Sequence, residues 1–258
     1  AIIRKMLAVE TLGSTDVICT DKTGTLTRNE MTVEKILVNE GMIEITGSGY
    51  APKGEFLENE RQTEIKKDAT ALKLLRAIAL CNNSSLEKRG DKWDVVGDPT
   101  EIALTVAAAK ADIWKDDLED VYPRIEEVVF TSERKLMSTV HENEGKIVSF
   151  TKGAPENVLE GCDQMEINGE LIPLDDGMRR DIMDRNLDLA SSAYRILGIA
   201  YSDNPDTSSE AAIEEHMTFL GLVAMIDPPR EEVKDAMVTS NDAGIRVVMI
   251  TGDNQETA

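Results

Sequence analysis

Asp21 is the side chain of this sequence whose setting best suits covalent chemistry. It follows Val17-Ile18-Cys19-Thr20 and opens the run Lys22-Thr23-Gly24-Thr25-Leu26-Thr27. Apolar and β-prone residues that run into an aspartate and a Thr/Gly turn describe a buried parallel strand. Such a strand delivers a carboxylate to the sheet edge where open α/β folds hold ligands. Backbone N–H groups and hydroxyls from Thr23 to Thr25 would form a cradle for a phosphoryl group, and a carboxylate held there can act as nucleophile and carry an acyl phosphate. Asp-x-x-Gly alone describes an ordinary turn equally well. A second run, Thr251-Gly252-Asp253, ends another apolar strand expected at 245–250. If the two strands lie parallel, a helix at 230–243 is their crossover and the Thr251 hydroxyl arrives at the same edge as Asp21.

Between these two runs lie residues 30–226, long enough to be a domain of their own. The 258 residues are 41% hydrophobic and 30% charged, a globular composition, with only 4% aromatics, so aliphatic side chains must fill the core. A net charge of −21 argues against a nucleic-acid partner, and an anionic ligand would need a local basic pocket. Cys19, Cys81 and Cys162 show no C-x-x-C spacing and fit a reduced setting. No run approaches the roughly 20 apolar residues of a membrane helix. No signal peptide precedes Ala1, and the abrupt ends give the expectation of a soluble piece of a longer protein.

The inserted stretch reads as hairpins and helices. Strands are expected at 32–38, 126–130, 137–140, 146–151, 195–201 and 219–225. Asn168-Gly169 marks a type I′ hairpin between 165–167 and 170–172. Helices are expected at 70–80, from Pro99 to about Lys110, in a short segment after Gly153 that stops at Gly161, and at 175–193. Asp98 suits an N-cap, with Pro99 at N1 and Glu101 at the capping-box position. The glycine-rich 47–56 imitates a P-loop and a dinucleotide turn. Glu55 and Pro52 break those two patterns, which leaves an inter-strand loop. Together this is an antiparallel-rich α+β domain. His141 and His216 carry no metal-ligand spacing and read as structural or solvated.

Asp21-Lys22-Thr23-Gly24-Thr25-Leu26-Thr27 resembles, residue for residue, the phosphorylation signature of P-type ATPases. Other runs follow in that family's order. Phe130-Thr131-Ser132-Glu133-Arg134-Lys135 resembles the segment whose aromatic stacks on adenine and whose lysine lines the pocket. Lys152-Gly153-Ala154-Pro155-Glu156 resembles the pocket floor, and Arg195 the arginine that reaches the phosphates, though it reads as readily as a surface residue. Glu101 resembles the acid that meets the adenine amino group, a role its capping position competes with. Asp227-Pro228-Pro229-Arg230 resembles the hinge, and Thr251, Gly252 and Asp253 a phosphoryl-site motif.

The resemblance implies an α+β nucleotide-binding domain, an antiparallel sheet with flanking helices, over 30–226. It would be inserted into a partial, α/β haloacid-dehalogenase-like phosphorylation domain formed by 1–29 and 227–258. ATP would bind the insert, which closes at Asp227 and Arg230 and delivers its γ-phosphate to Asp21. Mg2+ would be held by the Asp21 carboxylate, the Thr23 carbonyl and a later aspartate. The implied whole is a cation pump of the calcium-pump-like branch in the plasma membrane, with actuator and membrane domains as partners. A soluble haloacid-dehalogenase-type phosphatase shares Asp-x-x-Gly-Thr, but normally has a second Asp where Thr23 stands. A nucleotide-sensing module is the other rival.

Overall fold

The computed structural model describes residues 13–90 and 92–250. The expectations for the first twelve residues and for Thr251, Gly252 and Asp253 therefore lie outside the described residues. The described chain divides into two compact units, one made of 13–30 with 227–250 and the other of 31–226.

In the smaller unit β1 (Val17–Asp21) pairs in parallel with β15 (Arg246–Ile250), and Asp21 stands opposite Ile250 at the shared C-terminal end. The helix Glu231–Asp242 precedes β15 and stops at Gly244, whose φ of 76° is the left-handed conformation that ends helices. The expectation of buried strands is not met. Val17, Ile18, Met249 and Ile250 are all exposed, because among the described residues two strands and the helix Glu231–Asp242 leave most of the sheet surface uncovered.

The larger unit is built on an eleven-stranded sheet that is almost entirely antiparallel. The path begins at the edge hairpin β5 (Arg61–Gln62) and β4 (Phe56–Glu58). It passes β3 (Gly41–Ile45) and β2 (Thr32–Val38) to the central β14 (Met217–Ile226). From there it continues through β13 (Arg195–Asp203), β10 (Lys146–Gly153) and β9 (Leu136–Asn143) to β8 (Arg124–Val128). The hairpin of β11 (Cys162–Ile167) and β12 (Glu170–Pro173) joins β14 by the one parallel pairing. Asn168 and Gly169 both have positive φ, as the type I′ reading requires.

Helices cover both faces of this sheet. Leu74, Leu75 and Ile78 of Ala69–Leu80 and Leu104 of Pro99–Lys110 pack with Ile36, Ile199 and Val223. On the other face Val158, Leu159 and Leu189 pack with Ala200, Phe219 and Leu222. Burial on both sides explains why β14 is an almost continuous apolar run, broken only by Thr218, rather than an alternating one. Gly221 is required within it, since a Cβ there would lie 2.1 Å from the Leu37 carbonyl oxygen.

Several elements carry no clear sequence signal. β3 is entered through Asn39-Glu40 and β5 through Asn59-Glu60, four residues with positive φ that form I′-like turns without glycine. The separate ribbon of β6 (Ser85–Arg89) and β7 (Lys92–Val96) and the helix Lys115–Val121 are dominated by charged residues. The strand expected at 126–130 ends instead at Val128, which leaves Phe130 outside the ladder.

Candidate nucleotide cleft and phosphoryl-acceptor edge

In the larger unit an open cleft of about 460 Å3 gathers side chains from four separate segments. Glu101 comes from the first turn of Pro99–Lys110, and Phe130 and Lys135 from the loop after β8. Lys152 and Gly153 end β10, and Arg195 begins β13. Strand register brings them together: Gly153 pairs with Leu136 on one side and Gly198 on the other. Glycine is needed at 153, because a Cβ there would meet the Lys135 carbonyl oxygen at 2.3 Å.

Lys152 forms the floor. It is only 7% exposed, and its Nζ donates to Glu101 Oε1 at 2.7 Å and to the Cys81 carbonyl at 2.7 Å. The other oxygen of Glu101 accepts from the Asn83 backbone N–H at 3.2 Å. The capping-box role of Glu101 is therefore corrected. The helix is capped by Asp98, which accepts from the Thr100 N–H at 2.8 Å, while the Glu101 carboxylate turns toward the lysine. Arg195 donates to Thr100 Oγ1 at 2.9 Å. Lys135 reaches Glu156 at 3.4 Å, and both side chains are about half exposed, so this pair holds it only weakly.

Phe130 is 58% exposed and does not belong to the core. A bare aromatic face beside Lys135, Lys152 and Arg195, with a carboxylate acceptor deeper in, suits a purine joined to phosphates. These cations are a local exception on a chain of net charge −21.

Sequence reasoning missed Asn82, Asn83 and Arg124, which build the wall behind Glu101. Asn82 is fully buried and its amide donates to the Glu101 carbonyl at 2.9 Å. Arg124 donates to the Leu80 and Asn82 carbonyls and to Asn83 Oδ1. The available signal was the polar run Asn82-Asn83-Ser84 directly after a strongly apolar helix. His141 is structural, with Nδ1 donating to the Tyr122 carbonyl at 2.9 Å and Nε2 accepting from Thr139 at 2.9 Å. His216 is exposed beside Asp163 at 2.6 Å, which raises its pKa. Cys81 and Cys162 are buried thiols and Cys19 an exposed one.

In the smaller unit Asp21 is exposed at the end of β1, followed by a turn over Lys22–Leu26 in which Gly24 has φ 75°. Of the cradle expected from Thr23 to Thr25, one N–H is already engaged within the turn. The Gly24 N–H donates to Thr27 Oγ1 at 3.0 Å, so it closes the turn on itself, and Thr23 and Thr25 are exposed. Thr27 in turn donates to Asp227 Oδ2 at 2.6 Å, and Asp227 Oδ1 accepts from the Glu30 N–H at 3.2 Å. Arg230 donates to the Gly24 carbonyl at 3.1 Å, and a bridge joins Thr27 to Pro229. Asp227 and Arg230 thus tie the turn after Asp21 to the segment that leads into the crossover helix.

The sequence profile of the P-type ATPase cytoplasmic domain N matches residues 70–232. The chain belongs to the P-type ATPases. It is 41% identical to the cation-transporting ATPase pma1 of Synechocystis sp. and 40% identical to a calcium-transporting ATPase of Bacillus subtilis, in each case over the whole chain and 29% of that protein. A probable cation-transporting ATPase F of Mycobacterium tuberculosis is 40% identical, again over the whole chain and 29% of its length. This P-type ATPase chain thus spans less than a third of the relatives it matches. Among the described residues no helix is long and apolar enough to cross a membrane.

Proposed function

We propose that the cleft binds ATP and that, in the cation pump of which this chain would form a part, Asp21 accepts the γ-phosphoryl group. The convergence of Glu101, Phe130, Lys135, Lys152, Gly153 and Arg195 on one cleft supports the reading. Phe130 offers a face for adenine, Glu101, held by Lys152, accepts from its amino group, and Lys135 and Arg195 offset the phosphate charge. An Asp21 oxygen attacks the γ-phosphorus, the bond to the β–γ bridging oxygen breaks, and ADP leaves with that electron pair. Hydrolysis of the acyl phosphate restores the carboxylate.

Asp21 and Thr23 are the residues that would hold Mg2+. Both are exposed, and among the described residues no group of three or more His, Cys, Asp or Glu side chains gathers around a common point. One carboxylate and one carbonyl suit a cation that arrives on phosphate oxygens, because Mg2+ keeps several waters and takes few protein ligands. When bound it neutralises the charge that develops on the transferring group.

In this reading 30–226 is the nucleotide domain, inserted between 1–29 and 227–258 of a haloacid-dehalogenase-like phosphorylation domain. Asp227 and Arg230 serve as its hinge, and Thr251, Gly252 and Asp253 join Asp21 at the phosphoryl site. The transported ion is Ca2+, as the name of the Bacillus subtilis relative states for that protein, and the whole is a membrane pump whose actuator and membrane domains lie elsewhere in the polypeptide. Calorimetric titration of the 258-residue chain with ATP tests the cleft: weak, saturable binding that Phe130→Ala reduces is expected, without turnover. Binding that survives loss of both Phe130 and Lys152 unchanged would place the ligand elsewhere.

A further inference from the structure

The seven residues from Val129 to Lys135 leave β8 and return at β9 without joining the sheet. They carry two exposed cleft residues, Phe130 and Lys135, and the neighbouring Val129 is 60% exposed as well. Hydrophobic burial therefore does not anchor this loop. Arg134 does. Its Nη1 lies 2.6 Å from each oxygen of Glu214, and its Nη2 donates to the carbonyl of Val129, the residue directly before Phe130. The Lys135 N–H closes the loop on the Thr131 carbonyl at 2.7 Å, and the Lys135 carbonyl accepts from Ala154 N–H at 3.1 Å.

Glu214 is a fixed post for this clamp. It is 7% exposed, caps the short helix Glu210–Ile213, and accepts from Ser138 Oγ at 2.9 Å, while Ser138 lies 2.9 Å from Thr151 Oγ1. It is not part of the cleft lining. A planar guanidinium can bridge a carboxylate and a carbonyl at once, which a lysine ammonium cannot do with the same geometry. We infer that Glu214, acting through Arg134, is a positioning residue that sets the Phe130 ring against the base of the bound nucleotide. The inference rests on the reading of the cleft as the nucleotide site.

The consequence is selective. Loosening the clamp costs contact with the base and leaves contact with the phosphates, because Lys135 is held separately by the Ala154 N–H and Arg195 lies on β13. In the full chain, Arg134→Lys and Glu214→Gln should each weaken ATP about fivefold, within what one base–aromatic stack contributes. Inorganic tripolyphosphate should bind each variant as it binds the parent. Combined with Phe130→Ala, neither should cause further loss, because the ring they position is gone. An equal loss for tripolyphosphate, an additive loss in the Phe130→Ala background, or unchanged ATP affinity in both variants with native circular dichroism would overturn the inference. If one variant does not fold, the other carries the same comparison. Failure of the parent to bind ATP, or no effect of Phe130→Ala, is a distinct result that removes the cleft reading itself.

Discussion

Lys152 and Glu101 meet at 2.7 Å on the floor of the cleft, and the same ammonium also donates to the Cys81 carbonyl. The side chains are 9% and 15% exposed, so each replaces for the other much of the solvation lost to burial. Removing one leaves the second stranded. Lys152→Ala should lower unfolding free energy by on the order of 3 kcal/mol and weaken ATP binding. Lys152→Met with Glu101→Gln should recover part of the stability and none of the affinity. Chemical denaturation and calorimetry on the same samples separate the two effects.

Phe130 behaves in the opposite way. Being mostly exposed, it contributes little to the core. Phe130→Ala should leave the melting temperature within a degree or two and reduce ATP affinity by roughly 1–3 kcal/mol, the range for a base on an aromatic face. A large loss of stability would mean that the ring packs somewhere other than the cleft wall.

Gly153 links strand geometry to the site. A methyl group there would meet the Lys135 carbonyl oxygen at 2.3 Å and Leu136 Cδ2 at 2.7 Å. Gly153→Ala should push β9 and the Phe130 loop aside, at a stability cost of about 1–3 kcal/mol typical of overpacking, and ATP affinity should fall with it. Equilibrium unfolding and nucleotide titration of this variant check both.

His141 gives a pH dependence. Burial pushes its pKa down to about 4, and nearby Arg124 and Lys115 push the same way, against the hydrogen bond to the Tyr122 carbonyl. The folded protein keeps the ring neutral while the unfolded chain protonates near 6.5, so the unfolded state binds more protons in this window. Stability is complete above pH 6.5 and falls as pH drops toward 4, by up to on the order of 3 kcal/mol. His216, raised by Asp163, acts with the opposite sign and is present in both proteins. His141→Asn should flatten the urea-denaturation profile between pH 6.5 and 5, and an unaltered slope would contradict the assignment.

Where the sequence was legible, each signal had a local physical cause. Asp98-Pro99 and Asp175 cap helices that begin where expected, and Asn168-Gly169 turns a hairpin. The parallel pairing of β1 with β15 follows from two apolar strands joined through a crossover helix. Motif order brought the six cleft residues to notice, although they lie far apart in the chain. The misses arose where tertiary contacts decide. Glu101 sits at a capping position but is drawn to Lys152, Gly24 satisfies its N–H through Thr27, and the Asn-Glu turns adopt φ values usually left to glycine. Asn82 and Arg124 had no pattern of their own, because their partners are backbone carbonyls brought close only by folding.

The most direct test of a nucleotide site in this cleft is a heteronuclear NMR titration of the chain with a non-hydrolysable ATP analogue. Saturable shifts centred on the amides of Glu101, Phe130, Lys135, Lys152, Gly153 and Arg195, lost in Phe130→Ala, are the predicted result. Saturable shifts confined to another surface, or none at millimolar ligand, would contradict it.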